Sequence, residues 1–159
     1  MASAVSHSAA SSLGGMEAHQ ESFWSKYIFS TDHKIIGLQY MFTGMFMALF
    51  GGFMAYVFRM QLAFPDAAVP GYGVVTPYDY NALVTNHGTI MIFWVAMPVL
   101  IAGFGNYLIP LMIGCDDMVF PKLNRLSYQI FFISTVLILL SLVVPGGGFG
   151  GAWTAYPPL

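Results

Sequence analysis

A histidine lies inside an apolar stretch that is long enough to cross a membrane. His87 belongs to the run from residue 83 to about residue 111, which contains no Lys, Arg, Asp or Glu. Ionisable side chains within membrane helices are rare and usually functional. Neutral imidazole is also a common ligand for haem iron and for other metals. His87 is therefore a candidate iron or metal ligand, and a hydrogen-bonded core histidine is the alternative.

A stripe of small residues and a basic residue mark the first apolar run, residues 35–58. Gly37, Gly44 and Gly51 recur at intervals of seven residues and so share one helix face. Small residues allow a second helix, or a flat cofactor, to approach closely in lipid. Arg59 follows at the membrane boundary, where a basic side chain either extends to the headgroups or pairs with a polar group of a cofactor.

The second apolar run is predicted to present an aromatic and polarisable face beside the histidine. With 3.6 residues per turn, the positions on or near the side of His87 are Met91, Trp94, Pro98 and Gly105. This pattern fits a planar apolar ring system, and ordinary helix packing explains it nearly as well. Because consecutive membrane helices are antiparallel, we expect Arg59 and His87 to lie at similar depth.

One carboxylate and two amides fall near the far end of the second run. Asn106 is close to the end of that run, Asp117 follows it, and Asn124 lies seven residues beyond Asp117. A carboxylate captures protons, and amides hold the ordered water that relays them. The three residues are therefore candidates for a proton uptake path, with a solvated loop as the alternative.

Composition places the chain in a membrane. It is 57% hydrophobic and 8% charged, whereas soluble domains are about 25% charged. Three apolar runs, residues 35–58, 83–111 and 127–144, approach or exceed the roughly 20 residues that cross a bilayer. Backbone groups in lipid must be paired internally, which predicts helices. We expect an all-α integral membrane protein that completes its core against other helices, with the lipid bilayer and no nucleic acid among its partners.

Five basic residues predict the orientation. Lys26 and Lys34 precede the first helix, Lys122 and Arg125 lie between the second and third, and Arg59 alone is on the other side. Positively charged loops stay in the cytoplasm, so the amino terminus is predicted to be cytoplasmic.

The first 22 residues are rich in Ser, Ala, Gly and His and have no apolar run. They lack the features of a signal or transit peptide, and we interpret residues 1–22 as a disordered cytoplasmic tail. Residues 23–159 then form the membrane domain. The sole cysteine, Cys115, excludes a disulfide within the chain.

Six motifs, in order along the chain, resemble the start of subunit I of haem–copper oxygen reductases. They are FSTDHKIIG at 29–37, TNHG at 85–88, MIFW at 91–94, GFGNYLIPLMIG at 103–114, DMVFPKLN at 117–124 and WTAYPPL at 153–159. The resemblance runs from about residue 23 to the last residue. It implies three helices of a twelve-helix membrane fold. We expect the protein to lie in the inner membrane of a bacterium.

The resemblance also implies roles for individual residues. His87 matches an axial ligand of low-spin haem a, and Arg59 matches the arginine that hydrogen-bonds the haem formyl group. Asp117 matches the carboxylate at the mouth of the D proton pathway, and Asn106 and Asn124 match amides that hold its water. In this family the low-spin haem passes electrons to a high-spin haem and copper, whose ligands are outside this chain.

Two departures from the family pattern concern these sites. Cys115-Asp116-Asp117 stands where the family often has Ala-Pro-Asp, which adds a second carboxylate at the pathway mouth. Gln61 stands where many members have a Glu that contributes to an outer cation site. The resemblance therefore does not carry bound calcium over to this chain.

The expected partners are the remainder of subunit I, a copper-bearing subunit II, other membrane subunits and cytochrome c as electron donor. A quinol oxidase of the same superfamily is an alternative, although Phe50 and Met54 occupy the positions where quinol oxidases tend to have Arg and Asp. A structural or assembly subunit that binds no haem is the alternative from a different class.

Overall fold

The computed structural model describes residues 23–144, residue 148 and residues 150–155. The predicted tail, residues 1–22, lies outside the described residues. The helices, in chain order, are α1 (Phe23–Tyr27), α2 (His33–Ala63), α3 (Pro77–Ile90), π-helical segments Met91–Ala96 and Pro98–Phe104, α4 (Gly105–Ile113) and α5 (Pro121–Val143). The stretch Pro77–Ile113 is continuous enough to act as one second membrane helix.

Three of these helices are long and apolar enough to cross a membrane. They are His33–Ala63 with 31 residues, Pro77–Ile113 with 37 residues and Pro121–Val143 with 23 residues. The predicted all-α membrane fold is therefore confirmed. The helices extend beyond the apolar runs because polar residues cap them: Asp32 accepts a hydrogen bond from the Lys34 backbone at 2.8 Å, and Thr76 begins α3 with a capping box.

We call the end of the bundle where α2 and α5 begin the proximal end, and the opposite end the distal end. Arg125, near the start of α5, donates to the carbonyl oxygen of Phe29, just before α2, at 3.4 Å. At the distal end, the hydroxyl of Tyr78 in the first turn of α3 donates to the carbonyl oxygen of Gly148 at 2.6 Å. These contacts define an up-down-up arrangement.

The middle of the second membrane helix departs from α-helical periodicity. Pro98 has no N–H to donate, and its ring crowds the carbonyl four residues earlier. The helix passes through two π-helical segments around this residue, and π turns bond residue i to residue i+5. The predicted face shared with His87 assumed 3.6 residues per turn, and that spacing does not hold through the two π-helical segments.

The glycine stripe of α2 packs against the second membrane helix. A Cβ added to Gly37 would lie 2.9 Å from the carbonyl oxygen of Gly103, and one added to Gly51 would lie 2.6 Å from the sulfur of Met91. Gly44 is equally crowded by this helix. Of the two interpretations of the stripe, close helix packing is thus the one that the structure has.

The helix α5 contributes little to the core of the chain. Only 6% of its apolar window is buried, against 28% for α2. The buried cluster instead lies mainly between α2 and α3 and includes Met47, Met54, Val57, Leu83 and Ile90. The apolar surface of α5 is therefore left for lipid or for other helices.

Gly37→Ala tests the close approach of the two helices. The new methyl group would meet the backbone oxygen of Gly103 at 2.9 Å, so we expect the free energy of unfolding to fall by about 1–3 kcal/mol. Gly52→Ala is the matched control, because a Cβ there meets nothing within 4 Å and Ala favours a helix over Gly by up to about 1 kcal/mol. Circular dichroism during denaturation of the intact membrane complex measures both, and equal stabilities would contradict the packing.

Candidate functional site

The imidazole of His87 is held by a backbone carbonyl of the neighbouring helix. Its Nδ1 lies 2.8 Å from the carbonyl oxygen of Gly51. A carbonyl oxygen only accepts, so the proton of a neutral imidazole is on Nδ1, and Nε2 carries the lone pair. The ring of Phe58 meets the imidazole edge to face, with centroids 5.4 Å apart. Both contacts come from α2, and together they fix the ring orientation.

The second ring nitrogen of His87 is available to a ligand. Among the described residues no hydrogen bond involves Nε2, and this atom is not one of the fully enclosed unpartnered polar atoms. A hydrogen bond from one imidazole nitrogen to a carbonyl is the usual support for a metal bound at the other. The donor set therefore fits an axial ligand of haem iron.

A metal held by His87 must take its other ligands from elsewhere. Within residues 23–144, 148 and 150–155, no group of three or more His, Cys, Asp or Glu is placed to hold a metal ion. The four ring nitrogens of a porphyrin supply such ligands, since haem iron needs only one or two axial side chains.

Arg59 lies farther from His87 in depth than its position in the sequence predicts. Gly51, at the level of the imidazole, precedes Arg59 by eight residues, or about 12 Å along the helix. The reason is that α3 begins at Pro77, ten residues before His87, so the histidine lies well inside the helix and not at its start. Helical side chains lean toward the helix amino terminus, which directs the exposed Arg59 back toward the depth of His87.

Two of the three predicted proton-path residues share one cleft at the proximal end. Asp117 and Asn124 both line this cleft, which has a volume of about 490 Å³. Asp117 is exposed and its Oδ1 accepts a hydrogen bond from the backbone of Met118 at 2.7 Å. The amide of Asn124 donates to the sulfur of the same Met118 at 3.1 Å. The turn thus places the carboxylate and the amide beside one opening.

The third residue, Asn106, is buried one helical turn deeper than the cleft. Its exposure is 9%, and Pro110, four residues later, lines the cleft. The carbonyl oxygen of Asn106 accepts a hydrogen bond from Nδ1 of His33 at 2.9 Å. His33 is 1% exposed, so this bond ties the start of α2 to the start of α4 in the interior.

The sequence reasoning missed a series of hydroxyl groups that continues inward from Asn124. Ser127 donates to the carbonyl oxygen of Asn124 at 2.7 Å, and its oxygen lies 3.0 Å from the hydroxyl of Tyr40. One turn farther along α2, Thr43 lies 3.0 Å from the hydroxyl of Tyr128. The available signal was a pair of hydroxyl residues three apart on the first apolar run and a second pair at the start of the third.

A distal cavity of about 430 Å³ is lined in part by Phe50 and Met54, the two positions at which the resemblance to the family would put the Arg and Asp of quinol oxidases. Phe50 and Met54 present apolar side chains there, and Asp79 is the acidic residue in the lining. The carboxylate of Asp79 is engaged by the Thr76 hydroxyl at 2.7 Å. Burial, together with the nearby charge of Asp79, raises the pKa of Tyr72 in the same lining. The cavity therefore lacks the Arg and Asp pair at those two positions.

Comparison with known proteins identifies the family. The family described as "Cytochrome C and Quinol oxidase polypeptide I" matches residues 35–159 of the chain. The chain belongs to this family. The predicted resemblance to the amino-terminal part of subunit I of haem–copper oxygen reductases is thus confirmed, and the family implies haem and copper as its cofactors.

Individual relatives are described as forms of cytochrome c oxidase subunit 1. The chain is 47% identical over 137 residues to cytochrome c oxidase subunit 1 of Thermostichus vulcanus, covering 86% of this chain and 24% of the relative. It is 39% identical over 140 residues to the alternative cytochrome c oxidase subunit 1 of Bradyrhizobium diazoefficiens, covering 88% and 23%. For the subunit of Cereibacter sphaeroides, identity is 36% over 173 residues, covering 92% and 31%. The chain therefore spans about a quarter to a third of the length of these relatives.

Proposed function

We propose that this chain is the amino-terminal three-helix part of the catalytic subunit of a cytochrome c oxidase. The enzyme would oxidise cytochrome c, reduce oxygen to water, take up protons from the cytoplasmic side and pump some of them. The observation that carries the proposal is the hydrogen bond from His87 to the carbonyl oxygen of Gly51 at 2.8 Å. This bond leaves Nε2 unprotonated and available to a ligand. The family to which the chain belongs uses haem and copper.

His87 and Arg59 are the residues of this chain that would hold low-spin haem a. The Gly51 carbonyl fixes the tautomer of His87 and increases the basicity of Nε2. The guanidinium of Arg59 would donate a charge-assisted hydrogen bond to the formyl group. Bound there, a haem would supply one-electron transfer chemistry, which His87 and Arg59 would orient and tune; the ligands of the family's high-spin haem and copper would come from outside this chain.

Asp117 would capture protons for this enzyme at the proximal end. By the positive-inside rule that end would face the cytoplasm, and the membrane would be the inner membrane of a bacterium. Water in the cleft that Asp117 and Asn124 share would connect the two side chains. The hydroxyls of Ser127 and Tyr40 extend this series of polar groups inward. Asn106, one helical turn deeper than the cleft, would hold further water of the same path.

Cytochrome c is the electron donor of this proposal, because Phe50 and Met54 stand where quinol oxidases tend to have Arg and Asp. Transfer from cytochrome c would require a copper-bearing subunit II beside the distal end, along with the remainder of subunit I and other membrane subunits. Turnover with reduced cytochrome c, measured beside turnover with quinol, separates this proposal from the quinol oxidase alternative.

Replacing His87 with Ala tests haem ligation. Without the imidazole, we expect the intact complex to lose its low-spin haem absorption band. His33→Asn is the matched control, because the Nδ1 of His33 also contacts a backbone carbonyl, but at the proximal end and with Nε2 enclosed by the chain. An optical spectrum measures both variants. A preserved low-spin band in His87→Ala would favour a structural or assembly subunit that binds no haem.

Arg59→Met tests electrostatic tuning of the haem. Removing the cation should shift the haem absorption to shorter wavelength and lower its reduction potential, because the positive charge stabilises added electrons. Arg125→Met, at the proximal end, is the control and should leave both unchanged. Redox titration followed by absorption gives the answer. A titration of Arg59→Met that overlays the unmodified complex would show that Arg59 only extends to the headgroups.

Asp117→Asn tests proton capture while preserving the shape of the side chain. We expect oxidase turnover to fall at least about tenfold, or roughly 1.4 kcal/mol on the limiting barrier, with haem content unchanged. Because Asp116 is adjacent, the double variant Asp116→Asn/Asp117→Asn is the stricter test. Asp66→Asn, at the distal end, is the control, since Asn also tolerates the positive φ of 63° found there.

Normal turnover and pumping in the double variant, measured by oxygen consumption and by pH changes outside vesicles, would show that protons enter elsewhere.

A further inference from the structure

A polar cavity lies at the proximal end, apart from the haem ligand and from the proton cleft. It has a volume of about 370 Å³ and is lined by side chains from the segment before α2 and from the start of α5. Two of them are cationic, Lys26 and Arg125, and one is anionic, Asp32. The cavity therefore carries a net positive charge and opens where the membrane helices begin.

Arg125 has unused hydrogen-bond donors beside this cavity. Within the described residues its guanidinium makes one hydrogen bond, from Nη1 to the carbonyl oxygen of Phe29 at 3.4 Å. That distance is longer than a typical N–H···O bond, and a guanidinium has five N–H donors. The planar fork of these donors matches two oxygens of a phosphate.

Lys26 and Ser30 add a second charge and a hydroxyl donor. The ammonium nitrogen of the exposed Lys26 lies 5.5 Å from the ring centroid of Tyr27. The hydroxyl oxygen of Ser30 accepts from the backbone N–H of Asp32 at 3.1 Å, so its own proton is free to donate. Both residues line the same cavity.

The negative charge in the lining is already engaged. The carboxylate of Asp32 caps α2 and accepts from the backbone N–H of Lys34 at 2.8 Å. This contact and the positive end of the α2 dipole weaken the effect of the carboxylate on the cavity. An anion entering the cavity therefore meets two cations and a partly neutralised carboxylate.

Exposed aromatic side chains place the cavity at the depth of the lipid headgroups. Phe23 and Trp24 in α1 are 64% and 65% exposed, and Phe29 is 54% exposed. Aromatic residues concentrate at membrane interfaces, where an apolar ring contacts acyl chains beside polar headgroups. A ligand here is thus offered phosphate contacts and hydrocarbon contacts together.

We propose that this cavity binds the phosphate of an anionic phospholipid, with Arg125 and Lys26 as the ligands of the phosphate. A phosphodiester headgroup supplies the charge, and its acyl chains run beside the exposed aromatic rings. Anionic lipids attract basic residues at membrane surfaces by electrostatics. This site does not depend on the proposed oxidase function, because it uses neither His87 nor Asp117.

The test is lipid retention by the intact membrane complex that contains this chain. The complex is exchanged into nanodiscs of phosphatidylcholine with a small fraction of phosphatidylglycerol, then washed with detergent and weighed by native mass spectrometry. We expect Lys26→Gln/Arg125→Gln to retain at least tenfold less phosphatidylglycerol at this site. Lys122→Gln is the matched control, a nearby basic residue that does not line the cavity. The optical spectrum and the subunit masses establish that each variant is assembled.

Further comparisons separate the lipid from other sources of phosphate. Arg125→Lys keeps the charge but loses the fork, and we expect an intermediate loss of lipid. Inorganic phosphate at millimolar concentration should not displace the lipid. Complete displacement by inorganic phosphate would overturn the proposal in favour of a free-phosphate site. Equal loss in Lys122→Gln, or no loss in the double variant, would overturn it as well.

Discussion

The close contact between α2 and the second membrane helix is the constraint on which the rest of the structure depends. Gly51 contributes to this contact in two ways. Its missing side chain admits Met91, and its carbonyl oxygen is then within 2.8 Å of the imidazole of His87. A larger residue would separate the helices, lose that hydrogen bond and free the ring to rotate. The orientation of the proposed haem ligand is therefore set by helix packing.

The helix α2 connects the two proposed activities because it contacts both of its neighbours. The second membrane helix meets the glycines and the carbonyl of Gly51. The helix α5 meets Tyr40 and Thr43, whose hydroxyls pair with Ser127 and Tyr128. Electron transfer and proton uptake would thus be built on one rigid element, which limits how far either site can move independently.

Sequence alone predicted the three membrane helices, because an apolar run of about 20 residues has few other stable forms. It also singled out His87 and Asp117, since an ionisable group stands out in or beside an apolar run, and their roles stay predictions. It missed the π-helical segments, which arise from the local conflict that Pro98 causes in the helix. It also missed the Tyr40 and Ser127 pair, because a contact between residues 87 positions apart depends on how the helices pack.

The environment of His87 favours a ligand at Nε2. In hydrocarbon no water is present to satisfy the lone pair of Nε2, and an unpaired polar atom there costs several kcal/mol. The described part of the chain pairs Nδ1 and leaves Nε2 open. By contrast, Nε2 of His33 is enclosed by the chain itself and has no room for a partner. Of the two histidines among the described residues, only the half-buried His87 thus combines an anchored ring with an accessible lone pair, which is what iron ligation requires.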